Sequence, residues 1–219
     1  MHETRLAESS LYFEAAFDKL HEQGGESDIL ELPDDDPALF QLYAQFVYNP
    51  SSIAHLDLPT STRSSLYDTY IDLLQAYVFG EKVQNSDFQN EVMNRILRCI
   101  RDMHKPPGNS FGGGGGAGPR GASSSSSSSS EQIVKPLIEL LYPSLPPESI
   151  GRGLAVETFI VLWSHTDKLQ NYIPDLDREL LSEIAEMLLS GDKDHIRDAW
   201  AQAINGDYSY YHSARSDEH

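Results

Sequence analysis

The hydrophobic positions of this chain recur mostly at helical spacing, which predicts a largely helical protein. Ser10 is suited to cap a first long helix, because its hydroxyl can accept a hydrogen bond from the backbone of the first turn. The apolar positions of that helix are Leu11, Phe13, Phe17 and Leu20. We expect Phe17 to face inward beside Phe13.

A short strand and a second helix are predicted next. Residues 29–32, Ile-Leu-Glu-Leu, form a brief apolar run that ends at Pro33 and is typical of a strand. Asp36 followed by Pro37 predicts a helix with aspartate at its N-cap and proline at its first position. Asp34, Asp35 and Asp36 could be taken for a metal cluster, but anions at the positive end of a helix explain them better.

Two further helices are predicted before residue 105, with a second short strand at residues 53–58. Asp87 is expected to cap the last helix. Its inward positions are Phe88, Val92, Ile96, Cys99 and Ile100. Its other face carries Arg95, Arg98 and Arg101, which would also suit a calmodulin-like partner or a membrane, although a core helix with one solvated face is the better interpretation.

Residues 106–130 are of low complexity and separate two helical regions. They contain five consecutive glycines at 112–116 and eight consecutive serines at 123–130. Glycine has high backbone entropy and serine offers no apolar face to bury, so a disordered Gly/Ser-rich insert is predicted. Residues 131–206 contain four more helical stretches, the third beginning near Pro174. Residues 207–219 form a polar tail that we expect to fray.

The expected fold class is therefore α+β and mostly helical. It consists of an N-terminal unit over residues 1–105, the insert over 106–130, a C-terminal helical region over 131–206 and the tail over 207–219. Since about 75 residues alone make a marginal core, we expect the two regions that flank the insert to pack on each other.

Charge and cysteine content restrict the partners and the compartment. The chain has 16 Lys+Arg and 34 Asp+Glu, a formal net charge of −18, which repels nucleic-acid phosphates and anionic lipids. Protein partners are expected, and neither nucleic acid nor a membrane is. Cys99 is the single cysteine and the first residues lack the apolar core of a signal peptide, which indicates an intracellular protein of the cytoplasm or the nucleus.

No catalytic, cofactor-binding or metal-binding residue is predicted. Residues 108–112, Gly-Asn-Ser-Phe-Gly, formally fit the G-x-S-x-G pattern of hydrolases, which requires a strand before it and a helix after it. Two prolines precede this match and polyglycine follows, so an accidental match in a linker is the better interpretation. The eight histidines are scattered and lack a spacing suited to zinc.

The order of the N-terminal segments resembles that of the BTB/POZ domain, especially in its fungal form. The matching segments are Ser10-Leu11-Tyr12-Phe13, the run ILELPDDDP at 29–37, FQLYAQFVY at 40–48, LLQAYVFGEKVQ at 73–84 and FQNEV at 88–92. The resemblance covers about residues 1–103. The helices after the insert resemble the C-terminal helical extension of the same fungal proteins.

The chain departs from this family at its beginning. His2 and Glu3 match the turn that follows the first two strands of a BTB domain, so the resemblance implies an N-terminally truncated unit. A misplaced start is favoured over a shortened variant. The first strands would pair with residues 29–32, so an open sheet edge is expected there.

The resemblance implies a protein–protein interaction module that has no active site. It would act by self-association, as a homo- or heterodimer, or by docking a partner. A role as a substrate adaptor with a cullin as partner, in a ubiquitin ligase, follows by analogy alone. The candidate protein-interaction or core face consists of Leu6, Tyr12, Phe13 and Phe17. The alternatives are an enzyme of unidentified type and an indirect, transcription-linked scaffold.

Overall fold

The computed structural model describes residues 3–22, 29–50, 66–104, 126–163, 173–174, 176–190, 193–207 and 209–212. These ranges are mostly helical, as the hydrophobic spacing predicts. Before the insert lie α1 (Glu3–Ser9), α2 (Leu11–Glu22), α3 (Pro37–Tyr48), α4 (Leu66–Lys82) and α5 (Ser86–His104).

Local capping explains where several of these helices begin. Ser10 Oγ accepts a hydrogen bond from the Phe13 backbone N–H at 3.1 Å, and Asp36 Oδ1 accepts one from Ala38 N–H at 2.8 Å, so both predicted caps are confirmed. The α5 cap is Asn85 rather than Asp87, since Asn85 Oδ1 accepts the Phe88 N–H at 2.8 Å. All five side chains predicted to face inward from α5 are buried.

The helices after the insert differ from the prediction at two places. They are α6 (Ser126–Pro136), which continues into a π-helical turn (Leu137–Leu141) and a 3-10 turn (Tyr142–Ser144), then α7 (Ile150–Trp163), α8 (Arg178–Leu189) and α9 (Lys193–Asn205). The last five residues of the predicted insert therefore belong to α6. The third stretch begins at Arg178 with Asp177 as its cap, not at Pro174.

The predicted frayed tail is wrong for residues 209–211. They form a 3-10 turn, Ser209–Tyr211, and Tyr211 is buried. The polar sequence of the tail gave no sign that Tyr211 is buried, because Glu157, which holds its hydroxyl, lies more than 50 positions earlier in the chain.

The two regions that flank the insert share one hydrophobic core, as predicted. Tyr70 of α4 donates a buried hydrogen bond from its hydroxyl to the Ile133 carbonyl of α6 at 2.9 Å. The rings of His104 in α5 and Trp200 in α9 meet edge to face, with centroids 5.4 Å apart. The α4–α5 pair is thus covered by the C-terminal helices.

The β component of the expected α+β class is not confirmed. Residues 29–32 belong to a described range but form no strand, and no strand occurs elsewhere in the described part of the chain. A short apolar run becomes a strand only when another chain segment pairs with its backbone. The second predicted strand, at residues 53–58, lies outside the described residues.

Of the helices in the described ranges, none combines the length and the apolar character that crossing a membrane requires.

Candidate functional site

The N-terminal candidate face is held in place by a polar network between α1, α2 and the α4–α5 turn. The Ser10 hydroxyl that caps α2 donates to the carbonyl oxygen of Val83. The side-chain amide of Asn85 donates to the carbonyl of Ser9 and, at 3.2 Å, to the hydroxyl of Tyr43. Satisfied polar networks of this kind favour a single arrangement, here one that holds the α1–α2 junction against Tyr43 of α3 and the α4–α5 turn.

The four candidate residues divide into two groups. Leu6 and Phe13 are buried, at 5% and 1% exposure, and belong to the core. Tyr12 and Phe17 are half-buried and pack against the core from its edge. The Phe13 ring lies between them, with centroids 5.2 Å from Tyr12 and 6.2 Å from Phe17. Tyr12 and Phe17 are therefore the two members available to a partner.

Residues 29–32, which we call the 29–32 segment, form neither helix nor strand. Ile29 is 69% exposed, whereas Leu30 and Leu32 pack partly against the core. Ile29, Leu30 and Glu31 form no backbone–backbone hydrogen bond with any other described residue. Exposed backbone donors and acceptors in an extended segment can pair with a strand of another chain.

The acidic residues after this segment have structural roles. Asp36 caps α3. Both carboxylate oxygens of Asp35 accept hydrogen bonds from Lys82 Nζ, at 2.8 and 2.7 Å, and these bonds raise the pKa of Lys82. The ion pair ties the turn that follows the 29–32 segment to Lys82 of α4. Within the described ranges, no group of histidine, cysteine and acidic side chains is arranged to hold a metal ion.

A buried arginine, which the sequence reasoning did not single out, joins the C-terminal helices. Arg152 Nη2 lies 2.7 Å from Glu179 Oε1 and 2.9 Å from Glu183 Oε1, and it donates to the hydroxyl of Tyr142. The guanidinium also stacks 4.0 Å from the centroid of the Tyr142 ring. This cluster ties α8 to α7, and its contacts within the protein are typical of a structural site.

A second polar cluster holds the C-terminal segment. Glu157 of α7 is 5% exposed and accepts hydrogen bonds from the hydroxyls of Tyr210 at 2.9 Å and Tyr211 at 2.6 Å. Burial raises the pKa of Glu157, while these two hydrogen bonds and nearby His195 partly oppose the rise. The sequence signal that could have revealed this buried cluster is Glu157 itself, a charged residue within the mostly apolar α7.

An apolar groove opens between α7 and α8, and we call it the α7–α8 groove. It encloses about 400 Å³, and its lining includes Phe159, Ile160, Leu181, Ile184, Leu188 and Arg197. None of the titratable groups with a shifted pKa is among the described residues that line it. It therefore offers a hydrophobic binding surface rather than a set of converging acid–base groups.

The remaining sequence candidates add no site. The G-x-S-x-G match at residues 108–112 lies outside the described residues. Cys99 is buried in α5, and burial raises the pKa of its thiol to about 11, which keeps it protonated and unreactive near neutral pH.

Comparisons with family models, with curated proteins and with solved structures found no match to this chain.

Proposed function

We propose that this chain is a protein–protein interaction module of the BTB/POZ type, which acts by self-association or by docking a protein partner. The proposed interaction surface consists of the 29–32 segment and the half-buried rings of Tyr12 and Phe17, all of which pack at the edge of the same core. A cullin, with this chain as a substrate adaptor, is one such partner by analogy with the family.

The observation that carries this proposal is that the backbone of residues 29–31 pairs with no other backbone group of the described part of the chain. An extended segment with free N–H and C=O groups gives affinity through backbone pairing, while neighbouring side chains give specificity. Ile29 is exposed and apolar, and Tyr12 and Phe17 are large side chains of the kind that dominate interface energies.

The matched pair Glu31→Pro and Glu31→Ala tests the surface. Glu31 is exposed, so neither change removes core contacts. Proline lacks the backbone N–H that strand pairing requires, whereas alanine retains it. In sedimentation velocity over a range of concentrations, the parent and Glu31→Ala should self-associate, and Glu31→Pro should shift towards monomer.

If the parent chain stays monomeric, the surface is tested for binding to a different protein. Affinity capture with the parent, Glu31→Ala and Glu31→Pro should then yield proteins that the proline variant alone fails to retain. Equal association of all three forms in both measurements would overturn the proposal. The Tyr12→Ala variant adds an independent check on the aromatic part of the surface.

A further inference from the structure

The α7–α8 groove has the size and the lining of a small-molecule site. Its volume of about 400 Å³ falls within the range of roughly 300–1,000 Å³ typical of ligand pockets, which are mostly apolar with a few polar groups. Phe159 and Ile184 form its buried floor, while Ile173 and Leu188 at the edge are each 37% exposed. A ligand would cover these exposed apolar side chains, which favours binding.

The ionisable side chain among the described lining residues of the groove is basic, whereas the chain as a whole is acidic. Among the described lining residues, Arg197 is the one with an ionisable side chain, although the chain carries 34 acidic and 16 basic groups. Glu179 and Glu183 of α8 are bound by Arg152, and no acidic side chain is among the described residues that line the groove. This lining suits a ligand that combines an apolar body with an anionic group.

Arg197 is free to exchange its present contact. Its Nη1 atom lies 3.7 Å from Asp194 Oδ1, and the two side chains are 64% and 95% exposed. Such solvent-exposed pairs contribute little to stability. A guanidinium binds a carboxylate through two parallel hydrogen bonds, which is stronger and more directional than this contact.

We propose that the α7–α8 groove binds a medium-chain carboxylic acid, with the carboxylate at Arg197 and the alkyl chain along Phe159, Ile184 and Leu188. This site shares no residue with the 29–32 segment. The failure of one proposal would therefore leave the other untouched.

Isothermal titration of the full chain with decanoate, below its micelle-forming concentration, tests the proposal. Decanol and decyltrimethylammonium have the same alkyl chain with a neutral and a cationic head. Decanoate should bind most tightly and decyltrimethylammonium most weakly. Failure of decanoate to bind, or equal binding of all three probes, would overturn the proposal.

Two pairs of variants locate the site. Arg197→Gln should weaken decanoate binding about tenfold, since one charge-assisted contact is lost, and leave decanol binding unchanged. Arg178→Gln, an exposed residue of α8 outside the lining, should change neither. Ala185→Phe fills the groove and should abolish binding, whereas Ala201→Phe on the exposed face of α9 should not.

Circular dichroism confirms that each variant is folded before titration. Retained decanoate binding by folded Ala185→Phe would exclude this groove as the site. Equal weakening by Arg197→Gln and Arg178→Gln would exclude the assigned head-group contact and leave a general charge effect.

Discussion

Tyr77 of α4 lies so close to Gly151 of α7 that a Cβ atom on Gly151 would come within 2.5 Å of Cε1 of Tyr77. Tyr77 is 2% exposed, and burial raises the pKa of its hydroxyl to about 12. In the sequence, Tyr77 precedes the Gly/Ser-rich insert and Gly151 follows it. Glycine at position 151 therefore sets how closely the C-terminal helices approach the N-terminal ones.

Gly151→Ala should destabilise the protein, and Gly153→Ala should stabilise it. The added methyl at 151 meets the Tyr77 ring and, at 2.8 Å, Leu145 Cδ1, so we expect a loss of about 1–3 kcal/mol in the free energy of unfolding. At 153 nothing lies within 4 Å, and replacing a helical glycine should add roughly 0.5–1 kcal/mol. Urea unfolding measured by circular dichroism checks both, and effects of the same sign would contradict this packing.

Tyr211→Phe should loosen the C-terminal segment. The variant leaves the buried Glu157 carboxylate without its 2.6 Å donor, which should lower the free energy of unfolding by about 1–3 kcal/mol. Tyr210→Phe removes the other donor at a position that is 43% exposed, where water can replace the hydroxyl, so its cost should be smaller. Urea unfolding of both variants gives the comparison, and an equal or larger loss for Tyr210→Phe would argue against it.

Glu157 should make stability fall as the pH rises. Burial raises the pKa of this carboxyl in the folded state above its ordinary value of 4.5, so between the two values the folded state binds more protons than the unfolded state. The stability is fully present below pH 4.5 and is lost as the pH rises through the folded-state pKa. Glu157→Gln cannot titrate, so its stability relative to the parent should increase across that window. A difference that does not vary with pH would show that Glu157 titrates normally.

Phe13→Ala should be far more harmful than Phe17→Ala, although the helical spacing predicted that both rings face inward. Phe13 is 1% exposed and packs against the rings of Phe40 and Tyr43, so its truncation should cost about 3–5 kcal/mol. Phe17 is half-buried at the edge of the core and should cost less, about 1–2 kcal/mol. Thermal melts and soluble yield compare the two, and an equal loss would mean that Phe17 is as buried as Phe13.

Elements with local causes could be predicted from the sequence. Asp36 caps α3 through a hydrogen bond to a residue two positions away, so the sequence contains everything that this helix start requires. The Ser10 cap and the buried face of α5 are equally local, because 3.6-residue periodicity alone orients that face. The packing of the two flanking regions followed from the size of the core that each could build alone.

Features with distant partners could not be predicted. Tyr43 is completely buried, but its contacts with Ser9 and Asn85 span 34 and 42 positions. The α7–α8 groove likewise depends on the angle at which two helices meet. The sequence of either helix taken alone does not determine that angle.

The sequence by itself determined that the described part of the chain is mostly helical, where α2 and α3 begin, and which residues of α5 are buried. The tertiary structure decided that residues 29–32 form no strand, that Tyr211 is anchored to Glu157, and that Arg197 is at an apolar groove. The physical reason is range: caps and helical faces are set by neighbours within one or two turns. Strand pairing, burial of a polar tail and the shape of a groove require segments that meet only in the folded chain.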